Sequence, residues 1–341
     1  MKSINWFSPN QLLTYNCIFN FIVGDRGGGK SFGTLEFCVK QYLKRGKEFI
    51  YLRRYETELD DSLPTLFQAL QQEGKFPGHK LYVKGRTLYC DGKVMGYAVA
   101  LSTSMKKKSV NYSKVGYIIF EEFMVDGVTS RYLGAGDKEV TIFENFYETV
   151  DRLRDSTRVF FLANAFSMVN IYFTHYKIRL KPPYKTYNRF GDIMVCIWQD
   201  ESYRQAKRKT RFYKLVEGTE YAEHAYGNKF YLDSEHFIKK KSNTAEFFFA
   251  LKYLGKTYGV WVDWDNGIYY VSTKTGALNQ TNTISLSLED NRPNNINIRR
   301  VRTMPFMVAF RKAVDENLVY YDNLETYALL KEAVYLMRTI T

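Results

Sequence analysis

The sequence predicts an α/β protein of three parts. An α/β domain with a parallel sheet spans residues 1–198, a helical linker or lid spans 199–229, and an α+β domain spans 230–341. Three observations predict this. A glycine-rich loop stands between a predicted strand and a predicted helix, strand and helix patterns alternate up to about residue 198, and the pattern becomes β-dominated from Phe230 onward.

The first element is a phosphate-binding loop of the form G-x-x-x-x-G-K-S. It comprises Gly24, Asp25, Arg26, Gly27, Gly28, Gly29, Lys30 and Ser31. A buried strand is predicted before it, over 17–23, and a helix after it, over 32–39. Glycines let backbone N–H groups surround the phosphates, while Lys30 reaches the β- and γ-phosphates and the Ser31 hydroxyl holds Mg²⁺. The chain is therefore expected to bind a nucleoside triphosphate.

The next elements continue an α/β alternation. We predict strands over 48–52, 115–120 and 158–162, helices over 63–72 and 143–153, and a β-hairpin insertion around Asp91-Gly92. The pattern then changes, because residues 200–218 are rich in Arg and Lys and predict a basic helix. Beyond it we predict strands over 247–253, 258–262 and 268–271, and helices over 306–314 and 324–337.

The amino-acid composition restricts the class of binding partner. With 49 basic and 36 acidic residues, the net charge of +13 favours an acidic polymer, nucleic acid before an anionic membrane. Neither a signal peptide nor a stretch of ~18 apolar residues is visible, so no membrane association is expected. The four cysteines form no C-x-x-C pair and the four histidines show no metal-ligand spacing, which favours reduced, structural cysteines.

The strand over 117–120 ends in two carboxylates, Glu121 and Glu122. In P-loop ATPases the first carboxylate after such a strand supports Mg²⁺ and the second activates the attacking water. We assign these roles to Glu121 and Glu122. Glu121 stands where Asp is usual, so its carboxylate must be placed about one methylene differently.

Hydrolysis also needs positive charge near the γ-phosphate. Arg152, Arg154 and the lysines over 106–108 lie near predicted strand starts, whereas phosphates bind at the carboxyl ends of parallel strands. Action on a neighbouring subunit fits them better than action in their own. Asn164, at a strand end, is either a polar sensor of the γ-phosphate or a simple turn residue.

Six segments, in order along nearly the whole chain, resemble the DNA-packaging ATPase of small protein-primed tailed bacteriophages. They are residues 19–31, 50–55, 119–123, 162–165, 208–212 and 259–263. The chain is also similar, more distantly, to terminase large subunits and to the additional-strand (ASCE) P-loop class. This resemblance implies a homopentameric ring on the procapsid portal that pumps double-stranded DNA with ATP, in the host cytoplasm.

The same resemblance implies active sites at subunit interfaces. By position Arg152 matches the finger supplied by a neighbour, Lys108 matches a second cation acting in trans, and Arg154 is the alternative finger. The C-terminal domain resembles an RNase H-like nuclease without its metal carboxylates, so no nuclease activity is expected. Loops over 126–138 and 106–108 are candidate pore elements, and whether a structural RNA takes part stays open.

Other functions remain possible from the residues alone. A helicase-like ATPase stimulated by nucleic acid would separate strands, whereas a packaging motor moves intact duplex. A small-molecule phosphotransferase does not account for the large basic C-terminal region. The non-enzymatic alternative is a nucleotide-gated adaptor that binds DNA or the portal without hydrolysis.

Overall fold

The computed structural model describes residues 6–107, 111–125, 131–134, 138–164, 170–180, 185–219, 237–323, 326–327 and 329–330. These residues divide into two units, one within Met1–Phe166 and His175–Lys229, the other within Ser167–Thr174 and Phe230–Thr341. The first unit has a largely parallel sheet with helices, and the second mixes strands and helices. The predicted fold class is confirmed.

The first unit is built on a nine-stranded sheet in the order β3-β4-β5-β2-β6-β7-β1-β9-β8. Its strands are β1 (Phe19–Gly24), β2 (Glu48–Arg53), β3 (Leu81–Lys84), β4 (Thr87–Cys90), β5 (Lys93–Ala100), β6 (Val115–Glu121), β7 (Arg158–Asn164), β8 (Tyr187–Phe190) and β9 (Ile193–Trp198). The six strands from β5 to β9 in this order pair in parallel, and the two edges are antiparallel. The Asp91-Gly92 turn joins β4 to β5, as the hairpin pattern predicts.

Parallel pairing brings the carboxyl ends of distant strands together at one edge of this sheet. Gly24 is in register with Asn164 on β7 and with Trp198 on β9. Arg53 ends β2, and Glu121 ends the adjacent β6. The ends of five strands therefore meet around the glycine-rich loop, while the strand starts, Arg158 among them, lie at the opposite edge.

The first eight helices in chain order are α1 (Asn10–Leu13), α2 (Lys30–Arg45), α3 (Glu56–Ser62), α4 (Gln68–Gln72), α5 (Lys138–Asp151), α6 (Ile171–His175), α7 (Glu201–Arg208) and α8 (Arg211–Val216), with 3₁₀ turns at Leu63–Thr65 and Leu101–Lys107. All of them belong to the first unit except α6, which falls in the second unit apart from His175. The sheet core is strongly aromatic: Phe21 and Phe161 stack with ring centres 4.2 Å apart. All four cysteines are free and buried. Among the described residues no helix is long and apolar enough to cross a membrane.

Three boundaries differ from the sequence prediction. The single helix predicted over 63–72 is a 3₁₀ turn (Leu63–Thr65) followed by the shorter helix α4, because Pro64 falls at the start of the 3₁₀ turn. The single helix predicted over 200–218 is two helices, since the Thr210 side chain accepts a hydrogen bond from the Tyr213 N–H and starts α8. Helix α5 begins at Lys138 and ends at Asp151, earlier than predicted at both ends.

The second unit has a six-stranded sheet in the order β14-β13-β10-β11-β12-β15. Its strands are β10 (Glu246–Tyr253), β11 (Lys256–Asp263), β12 (Ile268–Ser272), β13 (Thr283–Ser285), β14 (Ile296–Asn297) and β15 (Val319–Tyr321), and its helices are α9 (Ile298–Val301) and α10 (Pro305–Asp315). The antiparallel centre, β10 to β12, is the predicted meander. Phe310 of α10 is fully buried against Phe249. Most of the helix predicted over 324–337 lies outside the described residues.

Candidate nucleotide-binding site

The glycine-rich loop connects β1 to α2, as predicted. Gly27 and Gly29 have φ values of +84° and +80°, a region that side-chain-bearing residues rarely occupy. Gly29 is the residue before α2, whose first hydrogen bond runs from the Gly33 N–H to the Gly29 carbonyl at 2.8 Å. The loop therefore leads directly into a helix N-terminus, where free backbone N–H groups favour an anion.

Lys30 lies inside the curve of this loop and is only 6% exposed. Its ammonium donates to the Gly24 carbonyl at 3.0 Å, to the Asp25 carbonyl at 2.8 Å and to Asn164 Oδ1 at 3.4 Å. Burial lowers the pKa of Lys30 to about 8, against the raising effects of Glu121 and Asp25. Backbone carbonyl groups thus hold the Lys30 ammonium in place. A bound phosphate would be a further acceptor for this ammonium or would take the place of one of these carbonyl groups.

Ser31 and Glu121 meet next to Lys30. The Ser31 hydroxyl donates to Glu121 Oε1 at 2.5 Å. Burial raises the pKa of Glu121, although the Ser31 hydrogen bond and the charge of Arg53 act in the opposite direction. Hydroxyl and carboxylate oxygens are ligands that Mg²⁺ prefers, so this donor pair fits a magnesium site.

Glu122 is oriented differently from Glu121. Its φ is +55°, and its side chain is 55% exposed. The carboxylate accepts a hydrogen bond from Arg53 Nη2 at 3.0 Å, and Arg53 Nε lies 3.5 Å from Glu58. The left-handed backbone turns Glu122 away from β6, and Arg53 fixes where its carboxylate points.

Arg54 stabilises the backbone turn at Glu122. Its guanidinium is 1% exposed and donates to Glu139 Oε2 at 2.8 Å, to the Glu122 carbonyl at 3.1 Å and to the Phe123 carbonyl at 2.7 Å. Glu139 is fully buried and also accepts from the Leu133 N–H. A buried ion pair thus ties the Glu122 turn to α5. Sequence reasoning gave neither Arg53 nor Arg54 a role.

These groups line a cavity of about 510 Å³. Its lining residues are Trp6, Arg26, Gly27, Gly28, Gly29, Lys30, Ser31, Phe32, Ala69, Gln72, Glu73, Lys75, Glu121, Glu122, Ala163 and Asn164. The cavity brings together the loop glycines, both carboxylates and Asn164 from three segments distant in sequence. Its volume is in the range of nucleotide and cofactor sites.

The outer side of the loop is packed against aromatic residues. A Cβ on Gly27 would lie 2.2 Å from the Tyr203 hydroxyl, and one on Gly29 would lie 2.9 Å from the Trp6 ring. The Trp198 indole N–H donates to the Gly28 carbonyl at 3.1 Å. Gly27 and Gly29 therefore cannot be replaced by a larger residue, because of their backbone conformation and because of the aromatic side chains beside them. The loop motif itself gives no sign of these aromatic contacts, because their residues lie far from it in sequence or before β1.

The cations predicted to act in trans do not join this cavity. Arg152 and Arg154 follow the end of α5, next to the start of β7. Arg154 donates to the carbonyl groups of Asp151, Val150, Val115 and Ser113. Arg152 is exposed, and its Nε donates to the Thr149 carbonyl at 3.2 Å. Lys108 and most of the loop over 126–138 lie outside the described residues.

Similarity to known proteins extends over the whole chain. Residues 1–339 match the family of the podovirus DNA encapsidation protein (Gp16). The DNA packaging protein of Bacillus phage phi29 is 35% identical over 326 residues, covering 92% of this chain and 96% of the relative. The structure of the bacteriophage Phi-29 viral genome packaging motor assembly aligns with a TM-score of 0.71 at 34% identity, covering 98% of this chain and 100% of that chain. The N-terminal domain of the phi29 DNA packaging ATPase aligns with a TM-score of 0.53 at 36% identity, covering 58% of this chain and 98% of that one.

The lowered pKa of Lys30 predicts that nucleotide affinity falls as the pH rises. Above about pH 8 the ammonium loses its proton in the free protein, whereas bound phosphates favour the charged form. The dissociation constant for ATP should therefore increase roughly tenfold between pH 7.5 and 9, as measured by calorimetry. In the control variant Lys30→Arg, whose side chain stays charged, affinity should be weaker but nearly independent of pH. A flat profile in the wild type would contradict the combination of a lowered Lys30 pKa and contact of Lys30 with the phosphates.

Proposed function

The chain belongs to the podovirus DNA encapsidation protein (Gp16) family, and we propose that it is a packaging motor that hydrolyses ATP to move double-stranded viral DNA through the portal into a procapsid. The observation that carries this proposal is the placement of Glu122 beside a complete phosphate-binding loop. Its carboxylate is exposed at the rim of the cavity that Lys30, Ser31 and Glu121 also line. Nucleotide binding alone needs no such second carboxylate.

Each residue of the site has a distinct task in this proposal. The glycines and Lys30 bind the phosphates, and Ser31 with Glu121 would hold Mg²⁺, which neutralises charge on the phosphates when bound. Glu122 accepts a proton from the attacking water, and Arg53 holds the Glu122 carboxylate in position. Asn164 accepts from Lys30, so it lies where it can also contact the γ-phosphate or the water.

The site is completed by a neighbouring subunit in a ring, which we propose is a homopentamer. Arg158 starts β7 and Asn164 ends it, so the two edges of the sheet are about 20 Å apart at ~3.3 Å per residue. Arg152 lies beyond the starting edge and is therefore too distant to serve its own cavity. Arg154 is held by main-chain carbonyl groups of its own subunit, which argues against Arg154 as the finger. Arg152 is the proposed finger by its position in the sequence. Lys108 stays a proposal from sequence.

The proposed partners are duplex DNA and the portal of the procapsid, in the host cytoplasm. The net charge of +13 supports a polyanionic partner. In the second unit, Lys241 lies 4.3 Å from the centre of the Trp261 ring, and Lys239 lies 5.2 Å from that of Tyr320. Basic residues that lie on aromatic surfaces suit contact with a phosphate backbone without reading bases. A structural RNA is compatible with the same charge.

We propose that the second unit is not a nuclease. Two buried carboxylates among its described residues already accept hydrogen bonds within the unit: Asp263 accepts from Ser242 at 2.7 Å, and Asp290 accepts from the N–H groups of Leu254 and Gly255, both at 2.8 Å. Within the described part of this unit no three His, Cys, Asp or Glu side chains are close enough to bind a metal. Linear and supercoiled DNA should therefore stay intact with Mg²⁺ or Mn²⁺, and robust cutting on gels would contradict this.

The motor function predicts ATP hydrolysis that duplex DNA stimulates. Because contact with phosphates releases counterions, this stimulation should fade steeply as salt rises from 50 to 200 mM. Glu122→Gln should reduce turnover by at least about a hundredfold, since it removes the base, while ATP still binds. The measurement is phosphate release with and without linear duplex DNA across the salt series, with gels that confirm an intact duplex.

The matched control is Glu316→Gln, which changes an exposed carboxylate at the end of α10. It should keep the wild-type rate and the wild-type dependence on salt. If ATP hydrolysis survives Glu122→Gln, Glu122 is not the base. Hydrolysis that DNA does not stimulate at any salt concentration would contradict the translocation function.

A further inference from the structure

A buried ion pair joins the phosphate-binding loop to helix α7. The Arg204 guanidinium donates to Asp25 through two hydrogen bonds, from Nε to Oδ2 at 2.6 Å and from Nη2 to Oδ1 at 3.0 Å. The side chains are 5% and 14% exposed. Two parallel bonds to one carboxylate are the strongest arrangement that an arginine can make. The two residues are 179 positions apart, and neither belongs to the catalytic groups described above.

Asp25 needs such a partner because of where it stands. It is the second residue of the loop, and its own carbonyl accepts a hydrogen bond from Lys30. A carboxylate at this position repels the polyphosphate that the loop binds, and the repulsion is strong where water is excluded. Its charge already acts on Lys30, since Asp25 is one of the two groups that raise the pKa of that lysine.

Helix α7 is fixed so that Arg204 can reach this carboxylate. The helix begins at an N-cap, Asp200, whose side chain accepts from the N–H groups of Ser202 and Tyr203. The Tyr203 hydroxyl donates to the Arg26 carbonyl at 3.3 Å. The neighbouring residues of α7 therefore contact successive residues of the loop, Tyr203 at Arg26 and Arg204 at Asp25.

We propose that Arg204 is a positioning residue for nucleotide binding, which acts through Asp25. It neutralises the Asp25 carboxylate and holds the loop in the shape that the phosphates require. Lysine would keep the charge but not the two parallel bonds, so it is an incomplete substitute. This inference rests on the nucleotide-binding function proposed above, and it adds a group outside the loop and outside the catalytic carboxylates.

The test is a rescue experiment on ATP affinity. Arg204→Met leaves Asp25 uncompensated, so the dissociation constant should rise at least about tenfold, while turnover at saturating ATP changes by less than about threefold. Adding Asp25→Asn to Arg204→Met removes the repelling charge and should restore affinity to within about threefold of the wild type. Calorimetry with ATP and Mg²⁺ gives the dissociation constant, and phosphate release at saturating ATP gives the turnover. Thermal unfolding without nucleotide checks that each variant is folded.

Arg189→Met is the matched control, because it removes an exposed arginine from edge strand β8 of the same unit. It should bind ATP as the wild type does. Wild-type affinity in Arg204→Met would overturn the proposal, as would a double variant as weak as the single one. If Arg204→Met does not fold, Arg204→Lys serves in its place; an intermediate loss of affinity supports the proposal and wild-type affinity overturns it. A wild-type protein that binds no nucleotide would instead overturn the proposed function itself.

Discussion

The parallel pairing of β2, β6, β7, β1 and β9 determines where everything else in the first unit can act. It gathers five strand ends at one edge and leaves the strand starts about 20 Å away. Phosphate-binding and hydrolytic groups share the first edge because each directly follows a strand or ends one. Arg152 follows a helix that returns to the other edge. In the proposed motor, a single subunit would therefore bind one nucleotide at the first edge and supply Arg152 from the other edge to a neighbour's nucleotide.

Close packing on both sides keeps the phosphate-binding loop in one conformation. On the inner side Lys30 donates to the carbonyl groups of Gly24 and Asp25, and on the outer side Tyr203 and Trp198 leave no space for a Cβ or donate to the loop. Such a preformed loop has little conformational entropy left to lose when phosphate binds. Of these contacts, the one made by Tyr203 joins the loop to α7, at the start of the basic segment that follows β9.

Local patterns were sufficient to predict the loop, both carboxylates and most strands, since each depends on neighbours in sequence. The supporting residues could not be found that way. In the sequence Arg53 merely follows the strand predicted over 48–52, as many arginines follow strands. Only the pairing of β2 with β6 brings it to Glu122. Likewise Arg204 resembles any basic residue of the linker until the fold places it against Asp25. The break between α7 and α8 was missed because the capping role of Thr210 outweighs helix propensity there.

The central claim, that each nucleotide site is completed by the next subunit, is tested most directly by mixing two inactive variants. Arg152→Ala keeps an intact phosphate-binding loop, and Lys30→Ala keeps an intact Arg152. Each alone should hydrolyse almost no ATP. If the two variants are mixed in equal amounts before the rings assemble, one site in four combines an intact loop with a neighbour's intact Arg152. The account therefore predicts about a quarter of the wild-type DNA-stimulated rate. A mixture no faster than the two variants measured separately would contradict it.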